Sequence, residues 1–86
     1  MVEQKYTVKN STGLHARPAS LFVQKASTYR SKIRISKEGR ETDAKSIIGV
    51  LGLGVSKGEG ITIIAEGEDE ETAVKELIYL LNSLKD

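Results

Sequence analysis

The residues best equipped for chemistry lie together in Gly13-Leu14-His15-Ala16-Arg17-Pro18-Ala19, a stretch that holds the only histidine of the chain. It places His15 where a glycine-containing loop passes into a helix. Pro18 falls in the first turn of that helix, where a missing N–H breaks no intrahelical bond. The first-turn N–H groups, those of Ala16 and Arg17, face whatever lies beyond the helix end, and the helix dipole favours an anion there. The same field favours a neutral, nucleophilic imidazole at His15. Arg17 can bring a planar guanidinium fork to phosphate oxygens. A neutral imidazole beside an anion site and an arginine meets the requirements of reversible phosphorylation on histidine. The plainer reading of one histidine ahead of a helix is a polar cap or a surface residue, and on His15 and Arg17 alone both readings stand.

A second candidate is Ser46, an N-cap for a short apolar helix over Ile47 to Leu51. Capping explains this serine fully. A phosphoserine at a helix N-terminus would also be accommodated by the dipole. Ile47, Ile48 and Leu51 make a short apolar patch, expected to be part core and part docking surface. Thr12 and Leu21 join them as candidate docking residues, since Phe22 fits the buried stripe of the first helix and Leu21 lies off it.

These residues need elements to position them. Val2, Tyr6 and Val8 alternate with Glu3, Lys5, Thr7 and Lys9, which predicts a half-buried strand. Asn10-Ser11-Thr12-Gly13 supplies turn chemistry. Ala19, Phe22, Val23 and Ala26 then fall on one face of a helix ending near Ser27. Ile33 and Ile35 mark a second strand, and Glu38-Gly39 a hairpin into a short third strand over Arg40–Thr42. Gly49, Gly52 and Gly54 keep the Ser46 helix brief. Gly58 and Gly60 frame a turn before a fourth strand with Ile61, Ile63 and Ala65 on one face, a pattern that Ile64 blurs. Gly67 closes that strand. Glu68-Asp69-Glu70-Glu71 puts negative charge where the dipole of the last helix favours it. Ala73, Val74, Leu77, Ile78, Leu81 and Leu84 form the buried stripe of that helix, with Lys85 suited to its C-terminal end. The order β-α-β-β-α-β-α predicts an α+β fold, one antiparallel sheet with helices on one face.

Composition narrows the classes. Eighty-six residues, with 38% hydrophobic and 29% charged, describe a single soluble domain over 1–86 with one core. A net charge of +1 offers no basic excess for nucleic acid. With no cysteine and one histidine, disulfides, thiolate sites and multi-histidine metal sites are excluded within the chain. No apolar run approaches the ~20 residues that span a bilayer, and residues 1–5 lack the apolar run of a secretory signal, so a cytoplasmic location is expected.

The Gly13–Ala19 stretch resembles the active-site signature of HPr, the histidine-containing phosphocarrier of the bacterial phosphoenolpyruvate-dependent sugar phosphotransferase system. Lys45-Ser46-Ile47-Ile48-Gly49-Val50 resembles the regulatory-serine segment of that family, and Leu53-Gly54-Val55-Ser56-Lys57-Gly58 also fits, so the resemblance covers essentially the whole chain. It implies an open-faced β-sandwich, a four-stranded antiparallel sheet with three helices. It implies that His15 accepts a phosphoryl group from enzyme I through Nδ1 and passes it to sugar-specific IIA components. Arg17 would orient the phosphoryl oxygens, and the amides of Ala16 and Arg17 would add donors. No cofactor or metal on this chain is implied, since phosphoenolpyruvate and Mg²⁺ belong to enzyme I. In Gram-positive-type members the serine matching Ser46 is phosphorylated by HPr kinase/phosphorylase, which changes docking on enzyme I or creates a surface for a transcriptional regulator. Where this chain has Ile48 the family often has methionine. A shuttling carrier is expected to be a monomer. Lys25, Arg30, Lys32, Arg34 and Lys57 read as a solvated surface that also steers acidic partners.

Other readings are weaker. An acylphosphatase-like hydrolase would use an arginine loop but leaves His15 without a task. An RNA-binding sheet lacks paired aromatics on a strand, and a regulatory small-molecule domain has no motif behind it. Inside the family, a nitrogen-related branch feeds a regulatory phosphorelay, and the Ser46 segment favours the sugar-system branch instead. A regulatory paralogue lacks the histidine, and His15 distinguishes this chain from it.

Overall fold

Strand alternation sets the sheet. The computed structural model describes residues 1–84, with strands β1 (Val2–Thr7), β2 (Lys32–Lys37), β3 (Arg40–Asp43) and β4 (Gly60–Glu66) and helices α1 (Ala16–Ala26), α2 (Ile47–Leu53) and α3 (Glu70–Ser83). All strand pairs are antiparallel, in the order β1-β4-β2-β3. The register aligns Tyr6 with Ile61, and Ile33 and Ile35 with Ala65 and Ile63. Period two then sends all six to one face. Ile64 faces the other way, between Glu3 of β1 and Arg34 of β2, and is still buried. Its burial accounts for the blurred alternation: β4 is central, and the neighbouring strands flank Ile64 on both sides with Glu3 and Arg34 on the face that carries no helix.

The helices lie over the apolar face. α3 packs on β1 and β4, α2 on β3, and α1 on both other helices. Phe22 and Ala19 from α1, Leu77 and Leu81 from α3, and Val50 and Leu53 from α2 meet the inward strand residues in one core. Full burial of such a side chain stabilises by roughly 1.5–3 kcal/mol relative to exposure. The predicted stripe of α3 holds at Ala73, Val74, Leu77 and Leu81, with Ile78 and Leu84 partly buried. Lys85 lies outside the described residues. Helix α2 runs two residues beyond the expected end, to Leu53, because Leu53 completes its buried face with Val50. Gly54, with φ of +63°, then ends it in the left-handed conformation that glycine adopts freely. Among the described residues no helix is long and apolar enough to cross a membrane.

Several surface cations expected to steer partners are engaged at home. Lys25 pairs with Glu76 at 3.3 Å, Arg30 with Glu68 at 3.5 Å and Arg34 with Glu41 at 3.3 Å. Such exposed pairs contribute little to stability.

The acidic start of α3 does more than meet a dipole. Asp69 is the N-cap but makes no side-chain cap bond. Its carboxylate accepts the N–H groups of Arg30 and Ser31, each at 2.9 Å, and the Ser31 hydroxyl, which ties the α1–β2 turn to the start of α3. The Ser31 hydroxyl and then the Arg30 amide hold its carboxyl well below the usual range, at about 2. A carboxyl depressed in the folded state stabilises it fully above the ordinary value of 3.8, and that contribution is lost as pH falls through about 2. Asp69→Asn is therefore expected to be less stable than wild type at neutral pH. The gap should narrow between about pH 4 and pH 2. Urea midpoints measured across that range check it, and a gap independent of pH would refute it.

Candidate functional site

The loop before α1 is pinned at several points. Gly13 takes φ of +63°. Asn10 is buried, and its side-chain amide donates to the Gly13 carbonyl at 2.9 Å and to Thr12 Oγ1 at 3.1 Å. The Gly13 N–H donates back to the Asn10 carbonyl at 3.2 Å. Leu14 is fully buried, and its N–H donates to the Val55 carbonyl at 3.0 Å. A Cβ on Gly13 would sit 2.2 Å from that same Val55 oxygen, so two loops touch here with no space for a side chain.

His15 follows as the N-cap of α1, half-buried, in extended conformation, with no side-chain cap bond. Ala16 then takes φ of +51°. A non-glycine residue in that region costs of order 1–3 kcal/mol and persists only where its surroundings hold it. Here the holding groups are the buried Leu14 on one side and the helix on the other. The turn leaves the imidazole and the first helical amides at the same end of α1. Arg17 is exposed on that first turn. Among the described residues, no hydrogen bond or ion pair occupies the His15 ring or the Arg17 guanidinium. Thr12, Ala16, Arg17 and half-buried Leu21 line one open groove of about 550 Å³ together with Leu80 of α3 and Leu84, the C-cap of that helix.

Ser46 stands on a different element. It is the N-cap of α2, and its hydroxyl accepts the Gly49 N–H at 3.1 Å, as its position predicted. The split of the apolar patch into core and surface does not hold. Ile47, Ile48 and Leu51 are 39%, 81% and 40% exposed, while Val50 and Leu53, three apart, supply the core contacts of the helix. Helix α2 packs against α1, so this exposed patch and the His15 helix belong to neighbouring elements. Loss of the cap in Ser46→Ala is expected to cost about 1 kcal/mol, and Ser46→Asp, which can still accept from Gly49, should cost less. Thermal unfolding of the two variants checks the order.

Sequence reasoning missed three parts of this site. Asn10 read as generic turn chemistry, Val55 had no role beyond its place in the Leu53–Gly58 segment, and the left-handed Ala16 had no signal, because alanine does not announce that conformation.

A family model for the PTS HPr component phosphorylation site matches residues 2–83. The chain belongs to the HPr family. The HPr-like protein Crh of Bacillus subtilis is 49% identical over 77 residues, covering 90% of this chain and 91% of that one. The phosphocarrier protein HPr of Borreliella burgdorferi is 44% identical over the whole of both chains. In structure, a crystal form of HPr from Thermoanaerobacter tengcongensis superposes with a TM-score of 0.95 at 51% identity, over 96% of this chain and 93% of that one. The open four-stranded sheet with three helices is the HPr fold, and the chain is of the Gram-positive HPr-like type. Members of the HPr family are phosphocarriers, carriers rather than catalysts. A second structure from Thermoanaerobacter is of an HPr dimer, at a TM-score of 0.78, which qualifies the expectation of a monomer.

Proposed function

We propose that this HPr-family chain, as one cytoplasmic domain over 1–86, carries phosphoryl groups on His15 between enzyme I and sugar-specific IIA components. The observation behind this reading is the end of α1, where the unoccupied His15 ring, the amides of Ala16 and Arg17 and the Arg17 guanidinium lie on one helical turn. In the transfer, a lone pair of His15 Nδ1 forms the new P–N bond while the bond to the donor breaks and its electron pair stays with the donor. The phosphoryl oxygens carry the negative charge that the first-turn amides and Arg17 are placed to receive. Return of the group to a IIA acceptor reverses the same step.

Ser46 is the proposed regulatory site, modified by an HPr kinase/phosphorylase. Its hydroxyl caps α2, so a phosphate there would meet the positive end of a helix and add charge beside the exposed Ile47, Ile48 and Leu51. Those residues, with Thr12 and Leu21, are the proposed docking surface for enzyme I, IIA components and a transcriptional regulator. The carrier acts as a monomer.

A second reading has a specific basis. Crh of Bacillus subtilis, named a catabolite repression HPr, is 44% identical in its solution structure over 96% of this chain. On that reading Ser46 is the operative site and His15 is idle. Incubation with enzyme I and phosphoenolpyruvate, followed by intact-mass analysis, separates the two. One acid-labile phosphoryl group mapping to His15 supports the carrier. No addition with an enzyme I that phosphorylates a known HPr refutes it and leaves the regulatory reading.

A further inference from the structure

Lys37 ends β2 with its side chain only 10% exposed, although lysine is rarely buried without partners. A lysine ammonium has three N–H donors. Here they reach three acceptors on one loop: the Gly54 carbonyl at 2.9 Å, the Leu53 carbonyl at 3.3 Å and Glu59 Oε1 at 2.9 Å. The same Glu59 oxygen accepts the Ser56 N–H at 2.7 Å, and the Glu59 N–H returns to the Ser56 carbonyl at 3.1 Å. The segment from Leu53 to Glu59 is thus closed on itself around the Lys37 ammonium, with Arg40 adding a second donor to the Leu53 carbonyl at 3.2 Å.

Its other side carries the site. Between Gly54 and Ser56, both fixed by the Lys37–Glu59 pair, lies Val55. Its carbonyl accepts the Leu14 N–H at 3.0 Å and sits against Gly13. Leu14 immediately precedes His15. A displacement of the Val55 peptide therefore has two direct contacts through which to move the residues that aim the imidazole.

We infer that Lys37 and Glu59 form a clasp that positions His15 for phosphoryl transfer, acting through the Leu53–Glu59 loop without touching the phosphoryl group. The inference rests on the proposed acceptor role of His15. Its physical basis is the sensitivity of group transfer to alignment, where a misplacement of about 1 Å can cost about a hundredfold in rate. Buried ion pairs add little net stability over apolar residues of the same size. What this pair supplies is a fixed place for two peptide groups.

The test compares Lys37→Met and Glu59→Gln with Asp69→Asn, a destabilising change in the β4–α3 turn and outside this network. Each is mixed with phospho-enzyme I below its unfolding transition. Lys37→Met should accept the phosphoryl group about ten to a hundredfold more slowly, and Glu59→Gln should slow in the same direction by less, while Asp69→Asn keeps the wild-type rate. The His15 ring resonances should shift, and Leu14 amide exchange should accelerate, in the clasp variants and not in Asp69→Asn. If Lys37→Met fails to fold, Glu59→Gln carries the test on the same readouts. Clasp variants that transfer at wild-type speed with unmoved His15 resonances overturn the inference and leave the carrier reading intact. A wild type that takes no phosphoryl group overturns the carrier reading and the transfer step of this inference with it.

Discussion

His15→Ala is expected to abolish acid-labile phosphorylation by enzyme I and phosphoenolpyruvate while changing folding stability by no more than about 0.5 kcal/mol. The two halves of that result have separate causes. The chain holds one histidine, so no second imidazole can take over. Arg17 and the first-turn amides would remain to bind an anion, but none of them is a nucleophile at neutral pH. Stability should hold because the His15 side chain makes no cap bond to α1 and is only half-buried. The helix start is set instead by Leu14, which is fully buried, and by the hydrogen bond of its N–H to Val55. Intact-mass analysis measures the first half and urea unfolding the second. Full phosphorylation of the variant would remove His15 from the mechanism. A large loss of stability would show that the imidazole has a structural task that its surroundings do not reveal.

Much of the fold was legible because the responsible signals are local. Alternation in Val2–Thr7 and around Ile33 and Ile35, the spacing of Ala73 to Leu81 and the cap at Ser46 each depend on a few neighbouring residues. The candidate site was legible for the same reason as far as His15, Arg17 and Pro18, which lie within four positions at one helix start. What the sequence does not carry is contact between distant loops. Nothing in Val55 or Asn10 announces that they hold Leu14 and Gly13, and although strand alternation sets Lys37 on the side of Ile33 and Ile35, opposite to solvated Lys32, nothing in the sequence names the acceptors that its ammonium meets. Those acceptors are supplied because β2 ends beside the loop that follows α2, a fact of topology. The apolar patch was misjudged for a related reason. With five apolar residues among the seven of α2, the pattern alone does not say which face turns inward, and packing against α1 and β3 selected Val50 and Leu53.

Gly13→Ala should be the most damaging single-methyl change in this site, lowering stability by about 2–5 kcal/mol and slowing phosphoryl acceptance with it. Two costs combine. Gly13 has φ of +63°, where an L-residue pays roughly 1–2 kcal/mol. The added Cβ would also lie 2.2 Å from the Val55 oxygen and 2.9 Å from the Ser56 Cα, both backbone atoms that cannot rotate away. Relief requires the loops to part, which breaks the Leu14–Val55 hydrogen bond and frees the residue next to His15. Gly54 provides the matched comparison, since it has the same φ of +63° with nothing within 4 Å of its would-be Cβ. Gly54→Ala should therefore show the backbone cost alone, about 1–2 kcal/mol. The difference between the two urea midpoints isolates the contact between the loops. Equal losses would mean that the His15 loop tolerates separation from Val55, so that the imidazole is aimed by α1 alone. A larger loss at Gly13, accompanied by slower phosphorylation of the folded fraction, would place the aim of the imidazole in the meeting of two loops that are more than forty residues apart in sequence.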